Sequence, residues 1–112
     1  MVKVYGADIC KDCLAMKLFF EEKGVQYEYV DLTANTKSLR TFLAIRDTIP
    51  LYEELRTRGG IGIPLFSKDG NYSFEINDAL LWEGKETIPE ERYETVAAEM
   101  LNRLRAEGRY ID

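Results

Sequence analysis

A chain of 112 residues is most economically one domain, long enough to bury a core without disulfide or metal staples. Its net charge of −5 argues against a nucleic-acid backbone or an anionic membrane surface as partner. No apolar run approaches the roughly twenty residues of a membrane span, and residues 1–3 lead straight into a strand rather than into a signal peptide, so a cytoplasmic location is expected.

Residues 2–5 read as a short strand, buried on both faces and ended by Gly6. Both cysteines follow directly, in Ile9-Cys10-Lys11-Asp12-Cys13, ahead of a helix over residues 14–23. One helical turn brings two sulfurs at this spacing close enough to bridge, and the first lies beside the unpaired N–H groups of the helix start. The positive end of the helix favours thiolate, which makes Cys10 the expected attacking sulfur and Cys13 the resolving one. Three other readings are weaker. A structural bridge across two residues would constrain the unfolded chain little. Zinc needs four ligands, and a chain with two cysteines and no histidine supplies half a site, so no metal is expected. Incidental burial of the pair stays open, because free cysteine is often buried. In a reducing compartment such a pair is more often catalytic than structural.

On the first helix Leu14 and Leu18 share a face, with Ala15 and Phe19 beside them and Met16 and Phe20 further round. An apolar arc this wide calls for a second element on the Met16 and Phe20 side. Gly24 stops the helix, and residues 25–32 resume as an edge strand with Val25, Tyr27 and Tyr29 on one face. Strand, helix and strand in this order form a βαβ unit with parallel strands. Asn35 or Thr36 can cap a helix carrying Leu39, Phe42, Leu43 and Ile45, which should break near Asp47. Pro50 starts a short helix to about Thr57 with Leu51 and Leu55 inward, closed by Gly59 and Gly60, and this pair of helices should lie opposite the first.

Residues 62–66 open a strand at Pro64, and residues 68–71 turn it into residues 72–74 as a hairpin. Asn77 can cap a short helix through Trp82. Thr87 and Glu90 form a capping box for a last helix with Tyr93, Val96, Ala97, Met100, Leu101 and Leu104 on one stripe. That stripe is expected to cover the Met16 and Phe20 side of the first helix. The fold class is therefore α/β, a four-stranded mixed sheet flanked by helices, with residues 1–84 as its core and residues 85–112 as a C-terminal helical extension of the same domain.

The order of a strand, a Cys-x-x-Cys helix, a strand and a helix, then Ile63-Pro64 before a hairpin and a short helix, resembles the glutaredoxins and the thioredoxin fold over roughly residues 3–82. Bacterial glutaredoxin-related proteins are the most similar in length and layout. From the residues alone Pro64 reads as an ordinary trans proline; the resemblance implies that it is cis, and that Ile63 and Pro64 face Cys10, where the Ile63 backbone pairs with an extended thiol substrate. It also implies a patch that grips glutathione, a lysine ahead of the first cysteine and a glycine pair before the last core helix. Here Ala7 and Phe74-Glu75 stand at those places, leaving Asn77-Asp78, where Asp78 either meets the glutathione amine or is an ordinary first-turn acid. Lys11 favours the Cys10 thiolate, and Asp8 and Asp12 oppose it. Arsenate-reductase-like proteins share the early layout but place an arginine where Ile63 stands, which disfavours oxyanion reduction.

Catalytic Cys10 and Cys13, with Lys11, Ile63, Pro64 and Asp78 at the substrate, thus imply a thiol-disulfide oxidoreductase acting on a disulfide-containing protein or small thiol. No tightly bound cofactor is expected, and the external reductant should be a dithiol protein of the thioredoxin system in preference to glutathione. The alternative is a non-catalytic module whose cysteines sense redox state and whose C-terminal stripe binds a partner. No feature of the sequence sets an oligomeric state.

Overall fold

The computed structural model describes residues 1–110. The strands are β1 (Val2–Gly6), β2 (Tyr27–Asp31), β3 (Leu65–Lys68) and β4 (Asn71–Ser73). The helices are α1 (Lys11–Glu22), α2 (Thr36–Thr48), α3 (Glu53–Arg58), α4 (Ile76–Trp82) and α5 (Glu90–Ala106), with a 3-10 turn over Pro50–Tyr52 running into α3. The sheet order is β2-β1-β3-β4. β1 runs parallel to β2 and antiparallel to β3, and β3 and β4 form an antiparallel hairpin. The central place of β1 explains its uninterrupted apolar run, and β2 is an edge as its charges suggest.

The pleat divides the core in two. Val4 stands opposite Tyr29 and Phe66, and this side joins Val2, Met16, Phe19, Phe20, Ala79 and Leu80. Tyr5 stands opposite Leu65, and that side joins Leu32, Phe42 and Tyr52. Helices α1, α4 and α5 therefore cover one face, and α2 with the 3-10 turn and α3 covers the other, as the apolar spacing implied.

Within that layout several helix faces differ from the sequence reading. On α1 the buried side chains are Ala15, Met16, Phe19 and Phe20, whereas Leu14 is half-buried and Leu18 is exposed. Leu39 and Leu43 of α2 and Leu51 of the 3-10 turn are also exposed, while Phe42 and Tyr52 are buried. The aromatic members of these faces are buried and the leucines stay at the margin, in keeping with the larger apolar surface that an aromatic ring removes from water. Asn35 is the cap of α2, its side chain accepting from the Ser38 N–H at 2.8 Å. Asn77 caps nothing. Its amide donates to the Ile88 carbonyl at 3.1 Å and accepts from the Ile88 N–H at 2.8 Å, tying the loop after α4 to the start of that helix. No capping box forms at α5, whose cap is Pro89, which leaves Thr87 two positions upstream of the place a capping hydroxyl needs.

The stripe on α5 buries Ala97, Met100 and Leu104 and packs against α1. Tyr93 stacks on Phe19 with centroids 5.9 Å apart, and Arg92 pairs with Glu22. The apolar arc of α1 is wide because it serves the sheet and α5 together.

Candidate active site at the β1–α1 junction

Gly6 ends β1, and the chain turns so that the Cys10 N–H donates to the Ala7 carbonyl at 3.1 Å. Cys10 is then the extended cap residue of α1, at φ −110° and ψ 125°, with no side-chain cap hydrogen bond. Its sulfur accepts the Cys13 thiol proton and faces the N–H groups of Cys13 and Asp12, while burial and the Asp12 carboxylate act the other way. The balance brings the Cys10 thiol down from an ordinary 9.0 to about 7. Cys13, one turn on, is fully buried, and donating its proton to Cys10, with burial added, pushes its own thiol far up. Both cysteines are reduced. One sulfur is therefore accessible and thiolate-prone, and the other is protonated directly behind it.

Across from Cys10 lies the loop before β3. The Ile63–Pro64 peptide is cis, as the resemblance implied, and the Cys10 thiol reaches the Ile63 carbonyl at 3.8 Å. The helices of the second face hold this loop. The Tyr52 hydroxyl donates to the Gly62 carbonyl, and Arg46 donates to the Gly60 carbonyl at 3.2 Å through Nε. Arg56 in turn donates to the Arg46 carbonyl at 2.7 Å. At Gly62 the chain takes φ +79°, and a β-carbon there would fall 2.2 Å from the Tyr52 ring, so only glycine fits beneath that ring.

Asp78 is exposed and its carboxylate accepts from Ser73 Oγ at 2.6 Å, which braces the end of β4. The residues of α4 that line a cavity between α4 and α5 are Ile76 and Asn77. The Lys11 ammonium lies 3.3 Å from both Asp12 oxygens. A small cavity of about 310 Å³ lies between Asp12, Ile63, Pro64, Phe74, Glu75 and Tyr93. It shares the walls Phe74, Glu75 and Tyr93 with a larger one of about 650 Å³ whose rim carries Glu90, Glu94 and Lys11.

Two further groups at the site had no signal in the sequence. Tyr93, the first residue of the α5 stripe, donates to Asp12 Oδ1 at 2.8 Å, so the C-terminal helix touches the cysteine motif directly. Tyr29 donates to Asp8 Oδ1 at 3.2 Å, and Lys17 Nζ lies 2.7 Å from the same oxygen. Asp8, expected to oppose the Cys10 thiolate, is engaged by these two partners, and Asp12 is the carboxylate that raises the Cys10 thiol. Neither contact is local in sequence, and helical or strand periodicity cannot show where a hydroxyl ends. Among the described residues no group of three or more cysteine or carboxylate side chains is arranged to hold a metal ion, and no helix is long and apolar enough to cross a membrane.

A mixed four-stranded sheet with a cysteine pair at the first strand-to-helix junction, facing a cis proline ahead of the third strand, is a thioredoxin-like fold with a dithiol site. The glutaredoxin family model matches residues 2–60, from the first strand to the loop before Pro64, and the chain belongs to the glutaredoxin family. No curated protein matches the chain.

Proposed function

We propose that this protein is a dithiol-disulfide oxidoreductase that reduces disulfides through Cys10 and Cys13. The observation that carries the reading is the pairing of a thiolate-prone Cys10 at the start of α1 with a protonated Cys13 behind it, opposite the Ile63 carbonyl. The Cys10 thiolate attacks one sulfur of a substrate disulfide, the other sulfur leaves as thiolate and takes a proton, and a mixed disulfide joins Cys10 to the substrate. Cys13 then loses its proton and attacks the Cys10 sulfur. The second substrate thiolate leaves, and the two electrons gained by the substrate are matched by the Cys10–Cys13 bond. Ile63 and Pro64 form the wall along which the substrate chain lies, and a reducing compartment such as the cytoplasm suits a pair that must be returned to the dithiol form.

The reductant that returns it is a dithiol protein of the thioredoxin system rather than glutathione. Glutathione carries two carboxylates, and the two adjoining cavities that share Phe74, Glu75 and Tyr93 are lined by Glu75, Glu90, Glu94 and Asp12 against Lys11, which is itself paired with Asp12. A dithiol donor needs only access to Cys10, because its own second thiol resolves the mixed disulfide. Steady-state reduction of bis(2-hydroxyethyl) disulfide tests the activity, and the Cys10→Ser variant should be inactive in it. Supplying electrons from thioredoxin and its reductase, or from glutathione and its reductase, at matched thiol concentration tests the donor. Saturable turnover with glutathione alone would overturn the donor assignment. The competing interaction module requires an open C-terminal stripe, and the α5 stripe is buried on α1.

A further inference from the structure

The resolving thiol has to lose a proton from a fully buried position. Cys13 is 0% exposed, and a thiol cannot attack until it is a thiolate. In the reduced protein its proton is directed at the Cys10 sulfur, but once Cys10 is tied to substrate that sulfur is a neutral, weak acceptor. Another acceptor is needed at the moment of resolution.

The groups around Cys13 supply one. The Tyr29 hydroxyl on β2 and the Cys13 sulfur converge over Gly6, where a β-carbon would lie 2.8 Å from the hydroxyl and 2.9 Å from the sulfur. Any side chain at residue 6 would enter the space where the two groups meet. The hydroxyl donates to Asp8 Oδ1 at 3.2 Å. Lys17 Nζ is 2.7 Å from that oxygen and 3.9 Å from the centroid of the Tyr29 ring, which aims the carboxylate at the hydroxyl. The Asp8 side chain is 43% exposed and that of Lys17 31%. A continuous row of polar groups therefore runs from a buried sulfur to water. Asp12 and Tyr93 lie on the Cys10 side of the pair and bond to each other.

We propose that Tyr29 and Asp8 form the proton path of the resolving thiol. The proposal rests on the dithiol reading above. The Cys13 proton passes to the Tyr29 oxygen as the Tyr29 proton passes to Asp8 Oδ1, and Asp8 releases it to water. The Cys13 thiolate then attacks the Cys10 sulfur, the bond between Cys10 and substrate breaks, and the departing thiolate is protonated from solvent. Tyr29 starts and ends as a neutral phenol, in keeping with burial and the nearby Cys13 pushing its own pKa up. Tyr29 is then a catalytic residue, since it touches the reacting thiol, Asp8 is the outlet, and Lys17 is a positioning residue.

The test separates resolution from attack. Reduced wild type, Tyr29→Phe and Asp8→Asn are mixed with bis(2-hydroxyethyl) disulfide, quenched in acid over time, and weighed intact by mass spectrometry. Formation of the Cys10 adduct is expected within about twofold in all three, while its decay to the internal disulfide slows tenfold or more in Tyr29→Phe, on the scale of positioned acid–base catalysis. Decay in Asp8→Asn is expected to slow as well and to rise about tenfold per pH unit as hydroxide becomes the base. Tyr29→Phe keeps the ring that packs in the core, and Asp8→Asn changes a part-exposed side chain, so at least one folded variant reports. Decay at the wild-type rate in a folded variant overturns the path while leaving the dithiol reading in place. If wild type forms neither adduct nor internal disulfide, the dithiol reading falls and the path falls with it.

Discussion

The thiol of Cys13 is the first support of the Cys10 thiolate, which makes Cys13→Ala a sharp perturbation. With Cys10 at about 7, roughly half of it is thiolate at pH 7, against about 1% for a thiol at its ordinary 9.0. A hydrogen bond to a charged group contributes roughly 1.5–3 kcal/mol, and roughly 1.4 kcal/mol is one pKa unit. Cys10 is part-exposed, so the lower end applies, and Cys13→Ala should raise its thiol by about one unit, leaving the Asp12 and residue 13 N–H groups to hold the remainder. The assay is the rate of iodoacetamide alkylation at Cys10 against pH, read by peptide mass. At pH 6.5 the variant should react several-fold more slowly than wild type, and above pH 10 the two should converge. Cys13→Ser keeps a donor and should track wild type. A Cys13→Ala profile that superimposes on the wild-type profile would mean that the helix start alone accounts for the thiolate and that the Cys13 thiol contributes nothing.

Four further outcomes follow from the geometry. The folded-state Cys10 thiol lies below its unfolded value and that of Cys13 above it, so the reduced protein should gain stability as pH rises from about 7 to 9 and lose it above 9. Thermal unfolding against pH reads this, and the gain should be missing in Cys10→Ser. Leu104→Ala empties a fully buried site under α5 and should cost about 2–5 kcal/mol in urea unfolding; deleting residues 89–112 should destabilise the remaining chain more, and a truncated protein that melts like the full one would contradict the packing of α5 on α1. Gly62→Ala places a β-carbon 2.2 Å from the Tyr52 ring, so it should lower both stability and turnover, whereas Gly84→Ala, with nothing within 4 Å, should cost only backbone strain and leave turnover intact. Asn77→Ala removes both hydrogen bonds to Ile88 and should cost about 1–3 kcal/mol, read by urea unfolding, against a negligible change if Asn77 were only a surface polar residue.

Much of the architecture was legible because it is local. The run 2–5, the Cys10-x-x-Cys13 junction, Gly24, the Asp69-Gly70 turn and the α5 stripe each announce themselves within a few residues, and the hairpin turn does take positive φ at both Asp69 and Gly70. The helix faces were less legible. Leu14, Leu18, Leu39, Leu43 and Leu51 have the right spacing for burial, but Phe19, Phe20, Phe42 and Tyr52 take the interior, and a periodicity shared by leucine and phenylalanine does not rank them. Thr87 and Asn77 match cap patterns, yet Pro89 and the Ile88 bonds decide those turns instead. At the site, the cysteine spacing could be read directly, whereas the residues alone make Pro64 an ordinary trans proline and only the family resemblance gave its cis peptide opposite Cys10. Tyr29 to Asp8, Tyr93 to Asp12 and Tyr52 to Gly62 could not be read, since each joins residues from different elements whose meeting depends on the fold being complete.

In the proposed reaction Cys10 is the sulfur that meets the substrate. Cys13→Ser and Cys10→Ser are each incubated with bis(2-hydroxyethyl) disulfide at pH 7, and the adduct is located by peptide mass. A mixed disulfide stalled on Cys10 is expected in Cys13→Ser, with almost none on the buried Cys13 in Cys10→Ser. Adduct forming as fast or faster on Cys13, or an unmodified Cys10 in a folded Cys13→Ser protein, would contradict it.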